Sequence, residues 1–549
     1  MFYERGKELG TRKEMLDYVW NVQFAMQFGY AFSILHTIGY SILLLQQLEL
    51  ATSYPPIYWA TAVLMTESGT VERESEDGEG KESGTDGEAI GIAIANLQKQ
   101  KVCIALPSIN EALAGFKPDE QTNSIIFGMK GISGINNKTA NLIIENRPFD
   151  SMIDFYNKMR MVKQEVLTKD GKKQMKSLVA KGQMISLIKA GAFDKIEPHK
   201  SRTELMEEYL LLEYPNKKKL TTSNLEDLIN RGLISSDYDE ELRYYDFREY
   251  LRQGTKVNDG ELYFQDENYK PAKSKKWYLL DGEDEVDTQE IVDVFFEMFP
   301  TLQQGKHWEY VEDNSEYYPN SIWVECGASS KDSFEGIYKT KINRLVKYLS
   351  SQEVLDRYNE SLFSEVRNTY MSGSEATWEF ETMNHYQGEH EVAKINKELY
   401  NIKNFHELDE QPKIVNYWMK KDKETGKEIP IPIFEINQIC GVVLGKNKNK
   451  NIITLLTETG TVYCKFQKGQ FSFYDRTISI PDEQTGKTKV VEKSWLQTGN
   501  ILMIRGIRRD NQFTIKNYKN SLWSHSVSLV EKIYDDGIAL TRDERYRVE

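Results

Sequence analysis

Cysteine is scarce and scattered: the four residues Cys103, Cys326, Cys440 and Cys464 include no C-x-x-C pair. That leaves no sequence basis for a zinc site or a thiol redox centre and fits a reducing cytoplasm. Long apolar runs are also missing. The most apolar tract, around Ile42 to Leu45, is bounded by His36, Gln46, Gln47 and Glu49, far short of the roughly 18 uninterrupted apolar residues that span a bilayer. It reads as a buried helix, and no membrane partner is expected. The start, MFYERGKELGTRKEM, mixes both charge signs without an apolar stretch or cleavage site, which excludes a signal peptide there. Positive charge is in deficit, with a net charge of -14. General coating of nucleic acid is therefore excluded, and any phosphate contact needs a local cluster of cations.

What is present is the composition of a folded protein, 40% hydrophobic and 28% charged with 11% aromatics, over 549 residues. That length requires several domains. From Tyr18 to Leu64 the pattern is helical and apolar, broken by Gly29, Gly39 and the Pro55-Pro56 pair; residues 1–66 are read as packed helices. Residues 67–89, rich in Gly, Ser and acid, have nothing to bury and read as a solvated loop. Residues 90–200 form a compact mixed domain. It has a helix near Ile90 to Gln100, strands at Val102 to Leu106 and Ser124 to Phe127, and a late helix with Met184, Leu187 and Ile188 on one face and Gly191 as its cap. Residues 201–410 are acidic, rich in Tyr and Trp and hard to parse by period, with helix near Lys341 to Tyr370. Over 411–535 short strands recur at Gln438 to Leu444, Asn451 to Thr457, Thr461 to Phe466, Ile501 to Ile507 and Gln512 to Tyr518, which predicts a small barrel; 536–549 reads as a tail. The expected class is a multidomain α+β protein.

The segment MKGISGINNKTANLIIENRP reads as a helix-hairpin-helix. A turn at Ser133-Gly134-Ile135-Asn136 leads into a helix with Ala140, Ile143 and Ile144 facing inward. Such a turn aims backbone N–H groups at a helix N-terminus outward, where the dipole favours a phosphate, and Lys138 adds a cation. Lys130, Ser133, Gly134, Asn136, Lys138 and Thr139 are the expected duplex-DNA contacts. Contacts of this kind read no bases. Asn136 stands where a second hairpin glycine is usual, and asparagine tolerates the left-handed backbone expected there. The bland alternative is an ordinary turn between packed helices.

The surroundings favour the hairpin. The string from Phe32 to Leu64, with His36, Tyr40, Gln46 and Tyr54-Pro55, resembles the end of the fingers in family C DNA polymerases, the bacterial DNA polymerase III alpha subunit. LPSIN at Leu106 to Asn110, IIFGMKGISGI after it, and SLIKAGAFD at Ser186 to Asp194 resemble successive blocks of that family. ITLLTETGTVYCKFQKGQFSFYD looks like its OB domain, and WEFETMNHYQGEHEVAKIN is similar to the connector of phage and Gram-positive relatives. The likeness covers roughly two-thirds of the chain in order, and order across blocks is more specific than one motif. It implies a bacteriophage source and a bacterial cytoplasm. It makes residues 1–66 the C-terminal part of the fingers, with His36 and Tyr40 near a nucleotide site. It makes the barrel an OB-fold whose Lys446, Lys448, Lys450, Lys465 and Lys468, beside Phe466, Phe471 and Tyr474, hold single-stranded template by charge and stacking. Relatives usually carry lysines where Ile34 and Ala51 stand, so basic contacts in the fingers are expected to be fewer.

Polymerases hold two magnesium ions with paired carboxylates, and in this family those lie in a palm N-terminal to the fingers. The resemblance here starts inside the fingers, so no catalytic residue is assigned, and neither an exonuclease site nor a metal site is expected. Asp237-Tyr238-Asp239 has a D-x-D form but lies in an acidic stretch that reads as a solvated helix start. His390-Glu391-Val392-Ala393-Lys394 begins like a zinc-protease helix and lacks the second histidine. A sliding-clamp peptide has one weak candidate, Asn359 to Phe363, without the usual glutamine. The reading is thus the C-terminal component of a split DNA-directed DNA polymerase, inactive alone. It would bind primer-template DNA while a separate palm chain carries the Mg2+. The alternatives are a stand-alone accessory DNA-binding protein and a truncated reading frame.

Overall fold

The computed structural model describes residues 2–24, 34–70, 84–167, 173–247, 296–301, 308–312, 320–326, 330–421, 426–467, 469–481, 488–516 and 526–546. The chain divides into two compact units, residues 1–206 with 373–549, and residues 207–372.

The first unit begins with helices Phe2–Glu8 and Lys13–Tyr18, followed by the long helix Ile34–Ser53 and helix Pro56–Glu67. Pro55-Pro56 sets the break between the last two, with Pro56 at the first helical position, where its missing N–H costs nothing. The expected buried helix at Ile42 to Leu45 is not buried: Ile42, Leu43, Leu44, Leu45, Leu48 and Leu50 are all more than half exposed. Apolarity alone predicts burial, but a helix that is apolar on every side needs neighbours on every side, and among the described residues they are not there.

Helix Gly87–Lys99 is capped by Asp86, which accepts from the Ala89 N–H at 3.0 Å. After it, strands β1 (Cys103–Ala105), β2 (Lys117–Asp119) and β3 (Ser124–Ile126) form a sheet of order β1-β3-β2, with β1 and β3 parallel. Helices Asn137–Glu145 and Lys181–Lys189 follow, with the ribbon β4 (Lys163–Leu167) and β5 (Lys173–Ser177) between them. Phe149, Phe155 and Phe193 close this core edge to face at 4.8 and 5.3 Å, each pair adding about 1 kcal/mol beyond its burial.

The second unit carries strands β6 (Trp308–Glu312), β7 (Asn320–Cys326) and β8 (Ser330–Ser333) and helices Phe334–Leu349 and Gln352–Tyr370. Its core gathers Leu225, Leu228, Phe247, Leu345, Leu349 and Tyr358. Asp237 and Tyr238 lie in a short 3-10 turn, Ser236–Tyr238, ahead of a helical stretch. The Asn359 to Phe363 segment is interior to a helix, and Asn359 is pinned to both the N–H and the carbonyl of Lys217 at 2.9 and 3.0 Å.

The chain then returns to the first unit, so the expected 201–410 region is not one body. Helix Glu375–Met383 precedes the ribbon β9 (Ile414–Lys421) and β10 (Glu428–Phe434), then β11 (Asn437–Asn447), β12 (Ile452–Thr457) and β13 (Gly460–Lys465). A helix Gln470–Asp475 and the ribbon β14 (Ile478–Pro481) and β15 (Thr488–Glu492) lead to β16 (Ile501–Arg509) and β17 (Gln512–Ile515). Five strands close a barrel: β11-β12-β13-β17-β16 and back to β11, antiparallel throughout except β13 with β17. Strand β18 (Val527–Ile533) pairs with β16, and β19 (Ala539–Arg542) pairs with β18. The expected tail at 536–549 therefore contains a sheet strand, which its four-residue length hid from periodicity.

Alternation along the barrel strands serves two cores. Ile439, Val443, Ile453, Leu455, Val462 and Cys464 fill the interior, while Cys440, Val442, Leu444 and Leu456 pack outward against Ala95 and Phe380. Helix Gly87–Lys99 lies close on this outer face: a Cβ on Gly91 would sit 2.7 Å from the Asn384 carbonyl and from Leu444. Glu379 ties these layers together. It is buried and accepts from the buried Arg202 at 2.8 Å and from the N–H groups of Gln387 and Gly388 at 2.8 and 3.1 Å. Removing one partner of a buried ion pair costs about 3 to 5 kcal/mol because the other charge is left uncompensated. Glu379→Ala is expected to lower the stability of this unit by that amount, measured as a shift of the urea midpoint; a shift below 1 kcal/mol would show that the pair is dispensable.

Candidate nucleic-acid interface

The hairpin runs from the 3-10 turn Met129–Gly131 to helix Asn137–Glu145. Gly134 has φ +84 and is the residue that takes the left-handed backbone. Asn136 does not: it is extended, φ -103 and ψ 170, and caps the helix by accepting from the Thr139 N–H at 2.8 Å. The expectation of a left-handed Asn136 is corrected accordingly, because the turn is completed two residues earlier and the helix entry needs a cap. Ala140 and Ile143 are buried as expected, and Ile144 is half-buried.

The six expected duplex contacts separate by burial. Ser133, Gly134, Asn136 and Lys138 are exposed. Lys130 is 4% exposed, and its ammonium donates to the Gly69 carbonyl. Thr139 is 5% exposed, and its hydroxyl accepts from Gln183 at 3.0 Å. Neither side chain reaches the surface, since each satisfies a buried polar group. The Ser133 N–H is also used, donating to the Thr382 carbonyl at 2.8 Å. The first helical N–H groups, at Asn137 and Lys138, have no intrahelical acceptor, and Lys138 itself is exposed.

On the barrel, Lys446 pairs with Asp475 and Lys448 approaches the same carboxylate at 3.3 Å. Burial opposes ionisation of Asp475, but hydrogen bonds from Lys446 and Ser494 outweigh it and hold the carboxyl below its ordinary value. The Lys465 ammonium donates to the Lys450 carbonyl, and Lys450 is exposed; Lys468 lies outside the described residues. Phe466, Phe471 and Tyr474 are 1%, 4% and 0% exposed and sit in the barrel core. Stacking on Phe466 or Phe471 is thereby excluded, because a base cannot enter a filled core. A ring on the five barrel strands that does face solvent is Tyr463, 43% exposed. The alternation Val462 in, Tyr463 out, Cys464 in could have revealed it.

His36 and Tyr40 are exposed one helical turn apart, with ring centroids 4.4 Å apart. No group of three or more His, Cys, Asp or Glu side chains is gathered for a metal among the described residues. No described helix is long and apolar enough to cross a membrane. His385 and His390 line a cleft of about 510 Å³ beside Lys99 and Glu458. His390 caps a 3-10 turn, its Nδ1 accepting from Val392 at 3.1 Å.

Residues 101–204 match the family described as "Helix-hairpin-helix motif", which includes the hairpin above. Over 539 residues, 98% of its length, the chain is 34% identical to "Probable DNA polymerase YorL" of Bacillus subtilis (strain 168). It is equally similar to "DNA-directed DNA polymerase" of Bacillus phage SPbeta. The chain spans 37% of the length of each of these relatives.

Two outcomes follow from this geometry. Asn136→Ala is expected to cost about 1 kcal/mol of thermal stability and Asn136→Gly only a few tenths, whereas a gain with glycine would show a left-handed residue. Burial pushes His390 down to about 4 and also lowers His385. The unfolded chain, with His near 6.5, takes up protons that the folded unit refuses. Stability is therefore full above pH 6.5 and is lost as pH falls towards 4. For His390 the loss is about 2 kcal/mol between pH 7 and 5, and His390→Gln should flatten this slope in urea titrations at the two pH values.

Proposed function

We propose that this chain is a DNA-binding component of a DNA-directed DNA polymerase. The observation that carries the reading is likeness along 98% of the chain to two proteins named as DNA polymerases. The matched helix-hairpin-helix motif, with an exposed lysine at the head of its second helix, supports it. In this reading Gly134, Asn136, Lys138 and the backbone N–H groups of the hairpin hold the phosphates of primer-template duplex.

The barrel's strand order and its one parallel pair agree with an OB-fold, so it takes the single-stranded template on Lys448, Lys450 and Tyr463. The apolar helix Ile34–Ser53, exposed from His36 to Ser53, supports a fingers segment of the family C type that docks on a separate palm-bearing chain. That palm would hold the two Mg2+ ions and transfer the nucleotide. A sliding clamp would be a further partner. The second reading, a stand-alone accessory DNA-binding protein, predicts DNA binding without any need for the palm chain.

The test has two arms. Lys138→Glu should weaken duplex binding alike for all sequences and reduce the salt slope by about 1; a sequence-selective loss, or none, sinks the hairpin contact. Mixing the chain with a palm-bearing polymerase fragment from the same genome should give a stable complex and primer extension. Absence of both rejects the split arrangement, and DNA binding alone leaves the accessory reading.

A further inference from the structure

The β9–β10 ribbon stands apart from both cores. Val415, Tyr417, Trp418, Met419, Ile429 and Ile433 are between 41% and 55% exposed, and every residue of β9 is exposed. Soluble proteins rarely leave such a surface without a partner. Cross-strand register puts Trp418 opposite Ile431 and Lys420 opposite Ile429, so one face carries a ring followed by a cation. The other face carries Tyr417 and Lys421.

Three features choose the partner. Charge is the first: over residues 413–435 the sequence carries five lysines against four acidic residues, a slight local cation excess on a chain of net charge -14. The second is the edge. Pro430 and Pro432, two residues apart, remove donors from one side of β10, which blunts it against addition of a protein strand.

The third is position. The foot of the ribbon is fastened to the turn between β16 and β17. Asp510 N–H donates to the Glu410 carbonyl at 2.8 Å, Gln411 donates to Asp510 at 3.0 Å, and the Arg509 guanidinium lies 5.6 Å from the centre of the Phe434 ring. In barrels of this connectivity nucleic acid lies on the second and third strands and on the loops joining strands one to two and four to five. Here part of that strand face is covered. Leu456 packs in the outer core with Ala95, and Thr454 donates to Glu88 at 2.6 Å. What stays exposed runs from Lys450 through Tyr463 to Arg509. Tyr463 pairs with Gln512, beside the turn that holds the ribbon.

We propose that the β9–β10 ribbon is a single-stranded-DNA arm that extends this strip. Bases stack on Tyr417 and Trp418, and phosphates pair with Lys413, Lys420 and Lys421. The proposal rests on the reading of the chain as a DNA-binding polymerase component.

The experiment uses the full chain, a fluorescent oligothymidylate and a fluorescent duplex, each titrated at several salt concentrations. Tyr417→Ala with Trp418→Ala should weaken oligothymidylate binding roughly ten- to a hundredfold, and Trp418→Phe should restore much of it. Lys420→Glu with Lys421→Glu should lower the single-strand salt slope by about 1.4, and this pair of surface changes keeps the test open if the aromatic variant does not fold. Duplex binding should be unchanged in every variant. Unchanged oligothymidylate affinity overturns the arm and assigns the ribbon's faces to a protein partner. Wild-type chain that binds duplex but not oligothymidylate also overturns the arm, with the polymerase reading intact. Wild-type chain that binds neither overturns both.

Discussion

The first unit is made of two stretches of chain separated by 166 residues, and the carboxylate of Glu379 is where they are locked. One oxygen accepts from Arg202 and the other from two backbone N–H groups in the loop after the helix. Arg202 is doubly held, since Asp194 takes it at 2.8 Å as well. Burial lowers the guanidinium's proton affinity, but the two carboxylates outweigh this and raise it. A buried charge of this kind is tolerable only when every partner is in place, so helix Glu375–Met383 has one seat. From that seat its Thr382 carbonyl accepts the Ser133 N–H and its Phe380 enters the layer outside the barrel. The hairpin and the barrel are thereby held in one frame.

How legible this was depends on the range of the interaction. The hairpin, the helix Gly87–Lys99 and all five barrel strands follow from local pattern, because capping, alternation and turn residues act over a few positions. The fate of individual lysines does not. Lys130 and Lys138 are eight residues apart and look alike in sequence, but one is buried on the Gly69 carbonyl and the other faces solvent. The acceptor that decides this is sixty-one residues away. Lys446 is likewise quieted by Asp475, which arrives from the helix after β13.

The aromatic assignments show the same limit from the other side. Phe466 and Phe471 have lysines nearby in the sequence, but a five-stranded barrel must fill its interior with side chains, and both rings join that core, Phe471 from helix Gln470–Asp475 together with Tyr474. The outward position is Tyr463, one residue from Cys464. Period-two reading of a single strand finds it; neighbouring charge does not.

Surface apolarity then divides into two kinds. Helix Ile34–Ser53 is apolar around its whole circumference and carries one charged residue, Glu49, so its complement is another hydrophobic surface. The β9–β10 ribbon mixes apolar groups with lysines and has an edge blunted by two prolines. Its complement is a flat, anionic partner whose stacking groups need no strand edge. The two surfaces therefore select different partners, although their exposed apolar residues are of the same types. What separates them is where the charge lies: a single carboxylate, Glu49, on the helix, and on the ribbon lysines that share both faces with the rings.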